Sequence, residues 1–284
     1  MTDDEHALVP DPAFLALEGE IDLLRGDLAG LLAREHDLRH VVAPNLLALY
    51  QQKLGLWELS CLRAQADAAR ARRKLELVRA ALNRGQAPDW QTIEATLEEE
   101  HRLWKQRLKE AAGRLEAAGR RLDGLLSPGE DWELKRLYRA LVKRLHPDLH
   151  PNPDAGRQRL WQRVQDAYAR ADLEELRAVT ALLGKPLPGG VDAAPGTTLE
   201  ALRQERDALG RHIATLESRI EATEAQPPFT LQDQLADDAW VETRRAEIEA
   251  RTAGFAAQGA ASNATLQTLT DALSSSHGPK PGRH

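Results

Sequence analysis

The chain has one cysteine in 284 residues and no long apolar run. With Cys61 alone, no intramolecular disulfide can form and a cysteine-based zinc site is excluded. No apolar stretch approaches the roughly 18 residues that a membrane-spanning helix requires. The N-terminal sequence, MTDDEHALVPDP, is acidic and lacks the apolar core of a secretory signal. We therefore expect a cytoplasmic protein with no membrane partner.

Aromatic residues are scarce as well, at 4%, and runs of valine, isoleucine or threonine are almost absent. Alanine, leucine, glutamate and arginine dominate a chain in which 29% of the residues are charged. This composition favours an all-α fold with long helices or coiled coils. The net charge of -6 does not favour nucleic acid as a partner.

Common enzyme motifs are also missing. The sequence contains no Gly-rich phosphate loop and no serine nucleophile elbow. His146, Asp148 and His150 are close enough in sequence to suggest a metal site, but the absence of nearby cysteines favours a simple loop. The sequence therefore predicts a protein that is not an enzyme, with no catalytic residue, no metal and no cofactor.

Helix-breaking residues divide the chain into segments. Asp11-Pro12 is typical of a helix start, because aspartate caps a helix and proline fits its first position. Pro44, the break at 83–88 and the Pro/Gly-rich stretch at 184–196 mark further boundaries. The predicted organisation is a disordered start (1–11), an N-terminal helical coiled-coil region (12–125), a central helical segment (126–183), a linker (184–198), a C-terminal helical and coiled-coil region (199–256) and a flexible tail (257–284).

The clearest periodicity is a heptad pattern over residues 47–82, where apolar positions alternate in steps of three and four. Cys61 falls on this pattern, so we interpret it as a small buried residue. A second pattern spans 104–125, and the short break between the two favours an antiparallel coiled-coil hairpin. A third pattern spans 199–220. Pairing between two copies of the chain, which would give a homo-oligomer, satisfies the same patterns and stays open.

The central segment begins with a strongly one-sided helix over residues 134–145. Its apolar residues recur at intervals of three and four and form one stripe, consisting of Leu134, Leu137, Tyr138, Leu141 and Leu145. The other face carries five bases and no acid, namely Lys135, Arg136, Arg139, Lys143 and Arg144. On a chain that is acidic overall, this positive face favours an acidic partner surface.

This helix stops at His146-Pro147-Asp148, because proline disfavours a helical conformation in the residue before it. A second amphipathic helix follows, and its apolar positions are Trp161, Val164, Ala167 and Tyr168. Two such helices joined by a short loop predict an antiparallel finger. We expect its tip to present His146 and Asp148 in the open, beside the basic face.

In this register the segment resembles the J-domain of DnaJ-like co-chaperones. The second helix of that family carries an apolar residue, two bases, a Tyr-Arg pair, a leucine and a further base before His-Pro-Asp. Its third helix carries an aromatic residue, an aliphatic residue and Ala-Tyr. The matching residues here are Leu134, Lys135, Arg136, Tyr138, Arg139, Leu141, Arg144, Leu145, Trp161, Val164, Ala167 and Tyr168. The resemblance covers residues 123–179.

The resemblance implies a protein that docks on a DnaK-type ATPase chaperone and stimulates its ATP hydrolysis, so that a client, here unknown, is trapped. His146 and Asp148 would be the trigger, and Pro147 would shape the loop. The coiled coils would target the client or another partner. The docking charges would be Lys135, Arg136, Arg139, Lys143 and Arg144.

Two features depart from the family pattern. The signature of the family's first helix is absent, and residues 122–128 stand in its place, so we expect the end of the preceding helix to supply that packing. Leu149 occupies the position of the lysine that usually follows His-Pro-Asp. The open alternative is a non-catalytic coiled-coil scaffold protein whose J-like segment is degenerate and inactive.

Overall fold

The structure is a computed structural model that describes residues 11–150, 154–183 and 198–276. Its helices are α1 (Pro12–Asp37), α2 (Ala43–Asn83), α3 (Trp90–Asp123), α4 (Pro128–Leu145), α5 (Ala155–Ala169), α6 (Leu173–Leu182), α7 (Leu199–Glu224), α8 (Gln232–Ala236) and α9 (Asp238–Ser276). The described ranges contain no strand, so the predicted all-α fold is confirmed. Within those ranges, none of the helices is both long enough and apolar enough to cross a membrane.

The helices begin where the sequence places caps. The side chain of Asp11 accepts a hydrogen bond from the first turn of α1, and Asp89 does the same for α3. Ser127 and Glu130 form a reciprocal capping box at the start of α4. Pro44 lies in the first turn of α2, but the chain stays helical before it, through a π-helical turn over Leu38–Val42. The wider turn accommodates a residue that has no N–H to donate.

The helices form two compact units whose membership differs from the predicted segments. Unit 1 comprises the described residues of Met1–Pro44 and Leu125–Thr230, and unit 2 comprises those of Asn45–Gly124 and Leu231–His284. The predicted regions 12–125, 126–183 and 199–256 are helical over most of their described residues, but the two units cut across them, and their independence as segments stays a prediction. Hydrophobic periodicity identifies which face of a helix needs a partner, but it does not identify the partner.

In unit 1, α1 and α7 pack against the central segment. Ion pairs join Arg25 to Glu205 at 2.5 Å and Glu35 to Arg219 at 2.7 Å, so α1 and α7 run in the same direction. Both helices contribute to one core with α4, α5 and α6, through Leu28, Leu32, Leu216 and Ile220. Of the predicted stand-in, residues 122–128, Leu126 packs against this core, and α1 adds Leu28 and Leu32 from a distant part of the sequence.

Unit 2 is built around α2. The predicted antiparallel pairing with α3 is present, because Arg73 bonds Glu100 and Asn45 bonds Arg121 at opposite ends of the two helices. α9 runs parallel to α2 along another side, where Leu54 and Cys61 pack with Val241 and Ile248. Cys61 is 3% exposed, which confirms that it is a buried residue.

The predicted flexible tail is wrong for residues 257–276, because α9 continues to Ser276. Small side chains allow α9 to approach α2 closely, and a Cβ at Gly259 would lie 3.3 Å from the Cα of Ala68. Threonine hydroxyls in this stretch, including those of Thr265 and Thr268, donate to carbonyls one turn earlier. Residues 1–10 of the predicted disordered start (1–11), residues 184–197 of the predicted linker (184–198) and the final residues 277–284 lie outside the described residues.

Candidate functional site

The apolar stripe of α4 is buried as its spacing predicts. Its five members, together with Val142, are each 9% exposed or less. One face of α4 is thus buried in the core of unit 1. The basic residues therefore lie at the edges of this face and on the outer face of the helix.

The outer face of α4 carries three exposed bases, Arg136, Arg139 and Lys143. Their spacing of three and four residues places them on one side of the helix. None of the three forms an ion pair within the described ranges, and Arg136 lies over the indole of Trp132, 5.5 Å from the ring centre. These side chains are available to a partner.

The other two predicted docking bases have contacts inside unit 1. Lys135 pairs with Asp131 at 2.9 Å and lies 3.9 Å from Asp37 of α1. Arg144 is half-buried and donates to the carbonyl of Leu183, where α6 ends, at 2.9 Å. Lys135 and Arg144 therefore stabilise the helix packing.

His146, Pro147 and Asp148 form a tight turn directly after α4. The backbone of His146 leaves the helical region with ψ 132°, while its N–H still donates to Val142 at 3.0 Å. The N–H groups of Leu149 and His150 both donate to the carbonyl of His146 at 3.1 Å. Among the described residues, no group of three or more His, Cys, Asp or Glu side chains is placed to hold a metal ion.

The ring of His146 is held in a defined state. Its Nδ1 accepts the backbone N–H of Asp148 at 3.1 Å, and its ring meets the edge of Trp161 with the two centres 4.9 Å apart. Burial lowers the pKa of His146, with Asp148 opposing that shift. A neutral ring whose Nδ1 accepts carries its proton on Nε2.

The expectation that the tip of the finger lies in the open is wrong for His146, whose side chain is only 17% exposed. Asp148 remains 40% exposed, but its carboxylate lies 3.5 Å from Nε2 of His212 on α7. The sequence does not predict this contact, since His212 lies beyond the linker and is far from Asp148 along the chain.

α1 also reaches the aromatic core behind the turn. Tyr138 and Tyr168 stack with ring centres 3.9 Å apart, and the hydroxyl of Tyr168 donates to Asp37 at 2.7 Å. Burial, followed by this bond to Asp37, raises the pKa of Tyr168. His36 lies against both tyrosines, and its Nε2 is buried without a hydrogen-bond partner in the described structure.

Protonation of His36 is expected to destabilise unit 1. Burial, with the charges of His40 and Arg39, lowers the pKa of His36 from 6.5 to about 4. Below about pH 6.5 His36 binds a proton in the unfolded chain, whereas in the folded chain it stays neutral down to about pH 4. The free energy of unfolding therefore falls as the pH is lowered through this window. Because the ring is only partly buried, we expect a loss of about 1 kcal/mol between pH 7 and pH 5.

Urea unfolding at the two pH values measures this loss, and a His36→Phe variant should show less of it. Phenylalanine keeps a flat ring beside the tyrosines and cannot bind the proton. Equal pH dependence in the two proteins would show that His36 does not carry the effect.

The geometry defines an all-α protein in which an exposed basic helix ends at a His-Pro-Asp turn. No family model matches the chain, and no solved structure is significantly similar to it. Two curated proteins are similar over part of its length. Chaperone protein DnaJ 1 of Mycolicibacterium paratuberculosis (strain ATCC BAA-968 / K-10) is 37% identical over 73 residues, which are 26% of this chain and 19% of that protein. Chaperone protein DnaJ 1 of Nocardia farcinica (strain IFM 10152) is 37% identical over 67 residues, 24% of this chain and 17% of that protein.

The chain thus spans less than a fifth of the length of these curated relatives. The similarity supports a partial, DnaJ-like relationship that covers about a quarter of the chain.

Proposed function

We propose that this protein is a J-domain co-chaperone that docks on a DnaK-type chaperone through α4 and stimulates the ATP hydrolysis of that chaperone. The observation that supports it most is the combination on one helix. Arg136, Arg139 and Lys143 are exposed on the outer face of α4, which leads directly into the His-Pro-Asp turn. The partial similarity to DnaJ proteins also supports a J-domain co-chaperone.

The proposed division of labour follows from the chemistry of the site. The exposed bases attract an acidic surface and orient it, because opposite charges raise the rate of encounter and disfavour wrong partners. The neutral ring of His146 and the carboxylate of Asp148 then meet the partner at the end of α4. The hydrolysis takes place in the ATP site of the partner, and this chain acts on it only through contact.

A scaffold protein with an inactive J-like segment is the second candidate, and one observation favours it. His212 of α7 lies against Asp148, and His146 is mostly covered. If this cover is permanent, the turn cannot reach a partner. The two candidates differ in one measurement, the rate of ATP hydrolysis by the DnaK-type chaperone of the same host with and without the full chain.

Reversing two exposed charges on α4 is expected to weaken docking strongly. A variant with Arg139→Glu and Lys143→Glu places acids on the outer face, so an acidic partner surface is repelled. We expect binding to the chaperone at least about tenfold weaker, equivalent to about 1.4 kcal/mol or more, and a helix signal unchanged in circular dichroism.

A matched control is available on α3, where Lys109 and Arg114 are also exposed and without an ion pair in the described ranges. Lys109→Glu with Arg114→Glu changes the net charge of the chain equally, and it should bind like wild type. Equal weakening by both variants would mean that overall charge, and not the face of α4, governs binding. Normal binding by both would mean that docking uses another surface.

A further inference from the structure

A groove of about 510 Å³ runs between α1 and α4 on the same side as the exposed bases. Three small residues line it, Gly26 and Ala29 of α1 and Ala140 of α4. A Cβ built at Gly26 would meet nothing within 4 Å, so the space beside it is open. The groove can therefore receive a side chain of a partner at the level of the helix backbone.

The charge of the groove has one sign. Lys135, Arg136, Arg139 and Lys143 line it, and none of its lining residues is acidic. Lys135 is already paired with Asp131, so three cations remain for a ligand. A groove that places several cations around an apolar floor fits a ligand that is anionic and carries an apolar group.

Trp132 also lines the groove and gives it an aromatic surface. It is 65% exposed, although it lies at the start of a helix whose other large apolar residues are buried. Arg136 covers one side of the indole. Tryptophan and arginine are the residues that contribute most to protein–protein affinity when a partner covers them.

Polypeptide fits these features better than nucleic acid does. The chain carries a net charge of -6, which opposes the long phosphate backbone of DNA or RNA. The small-residue floor offers space for an aliphatic side chain, and a phosphate backbone has none to place there.

We propose that the groove binds an acidic segment of the DnaK-type chaperone that carries an aliphatic side chain. That side chain lies between Gly26 and Ala140, while acids of the segment pair with Arg136, Arg139 and Lys143. This inference rests on the proposed function and deepens it, since it makes α1 part of the docking surface. The sequence separates α1 from α4 by the whole of α2 and α3, so the family resemblance alone does not include it.

Filling the groove from α1 tests the inference. Gly26→Gln places a side chain in the open space, and glutamine favours the helical conformation more than glycine does, so folding should not suffer. We expect at least about tenfold weaker binding of the full chain to the purified, fluorescently labelled chaperone of the same host. Trp132→Ala, which removes an exposed side chain, should weaken binding similarly.

Gly19→Gln is the matched control. Gly19 is also in α1, is exposed, and has nothing within 4 Å of a built Cβ, but it does not line the groove. The Gly19→Gln variant should bind the chaperone like wild type and should gain the same helix stability. Equal loss of binding in the Gly19 and Gly26 variants would overturn the inference.

The remaining outcomes separate the inference from the proposed function. If wild type binds and stimulates the chaperone, and Gly26→Gln does both equally well, the groove is not part of the interface and only the inference fails. If wild type neither binds nor stimulates, the proposed function fails and the inference fails with it.

Light scattering that shows a dimer lost in Gly26→Gln would identify a second copy as the occupant and overturn the inference. Direct binding of a fluorescently labelled RNA or DNA oligonucleotide to wild type, lost in Gly26→Gln, would identify nucleic acid as the occupant and also overturn it.

Discussion

A fragment spanning residues 126–183 will be largely unfolded in water, although it contains all but the first three residues of the segment that resembles a J-domain. Its three helices share one core with residues that the fragment lacks, including Leu28 and Leu32 of α1 and Leu216 and Ile220 of α7. Without them, fully buried residues such as Tyr138 and Tyr168 become exposed. A chain of about 60 residues is only marginally stable even with a complete core, so the loss of these contacts should unfold it.

Far-ultraviolet circular dichroism and amide dispersion in NMR spectra measure the outcome. We expect the fragment to show a weak helix signal and collapsed amide dispersion, while the full chain shows a cooperative transition in urea. A fragment that folds cooperatively would show that α1 and α7 only cover a finger that is stable alone.

Two substitutions in α1 test the same dependence in the full chain. Leu28 is 0% exposed, and Leu28→Ala should lower the stability of unit 1 by about 3 kcal/mol because it leaves a cavity. Leu23 is 72% exposed, and Leu23→Ala should change stability by less than about 0.5 kcal/mol. Similar effects from the two substitutions would contradict the position of α1 in the core.

Local features of the finger could be predicted from the sequence because they depend on neighbours in the chain. The caps at Ser127 and Asp89 need only residues two or three positions away. The buried stripe of α4 follows from its spacing, since a helix turns once in 3.6 residues. The exposure of Arg139 and Lys143 follows from the same geometry.

The partners of α4 could not be predicted in this way. A stripe such as Leu17, Ile21 and Leu28 on α1 indicates that this face of the helix must be buried. Many other apolar stripes in the chain could pack against it, so the stripe does not identify its partner. The parallel pairing of α1 with α7 joins segments that are far apart in sequence, so no loop length restricts it. For the same reason, nothing in the sequence indicates that His212 would lie on Asp148.

The conformation of the last part of α9 could not be predicted from amino-acid composition. Alanine, serine, threonine and glycine after residue 257 suggest a chain that buries too little to fold. In the structure the small residues are what allows α9 to approach α2, with Gly259 against Ala68. Tertiary contact, and not intrinsic preference, decides the conformation there.

Replacing His146 with glutamine is expected to reduce stimulation of the DnaK-type chaperone to the basal rate of that chaperone. Glutamine is polar but has no ring, so the contact with Trp161 is lost, and so is the ring nitrogen Nδ1 that accepts the N–H of Asp148. Arg139 and Lys143 are untouched, so binding through α4 should persist within about threefold of wild type. Single-turnover ATP hydrolysis measures stimulation, and fluorescence anisotropy measures binding.

Two further variants give this experiment its meaning. His101→Gln changes a histidine of α3 in unit 2 and should stimulate like wild type. His212→Ala removes the contact of α7 with Asp148 and distinguishes the two candidate functions. Under the co-chaperone proposal, wild type and His212→Ala both stimulate, and His146→Gln does not. If the chaperone hydrolyses ATP at its basal rate with every one of these folded proteins, the co-chaperone proposal is wrong and the scaffold function remains. In that case the turn does not act on the chaperone even when His212 no longer covers it.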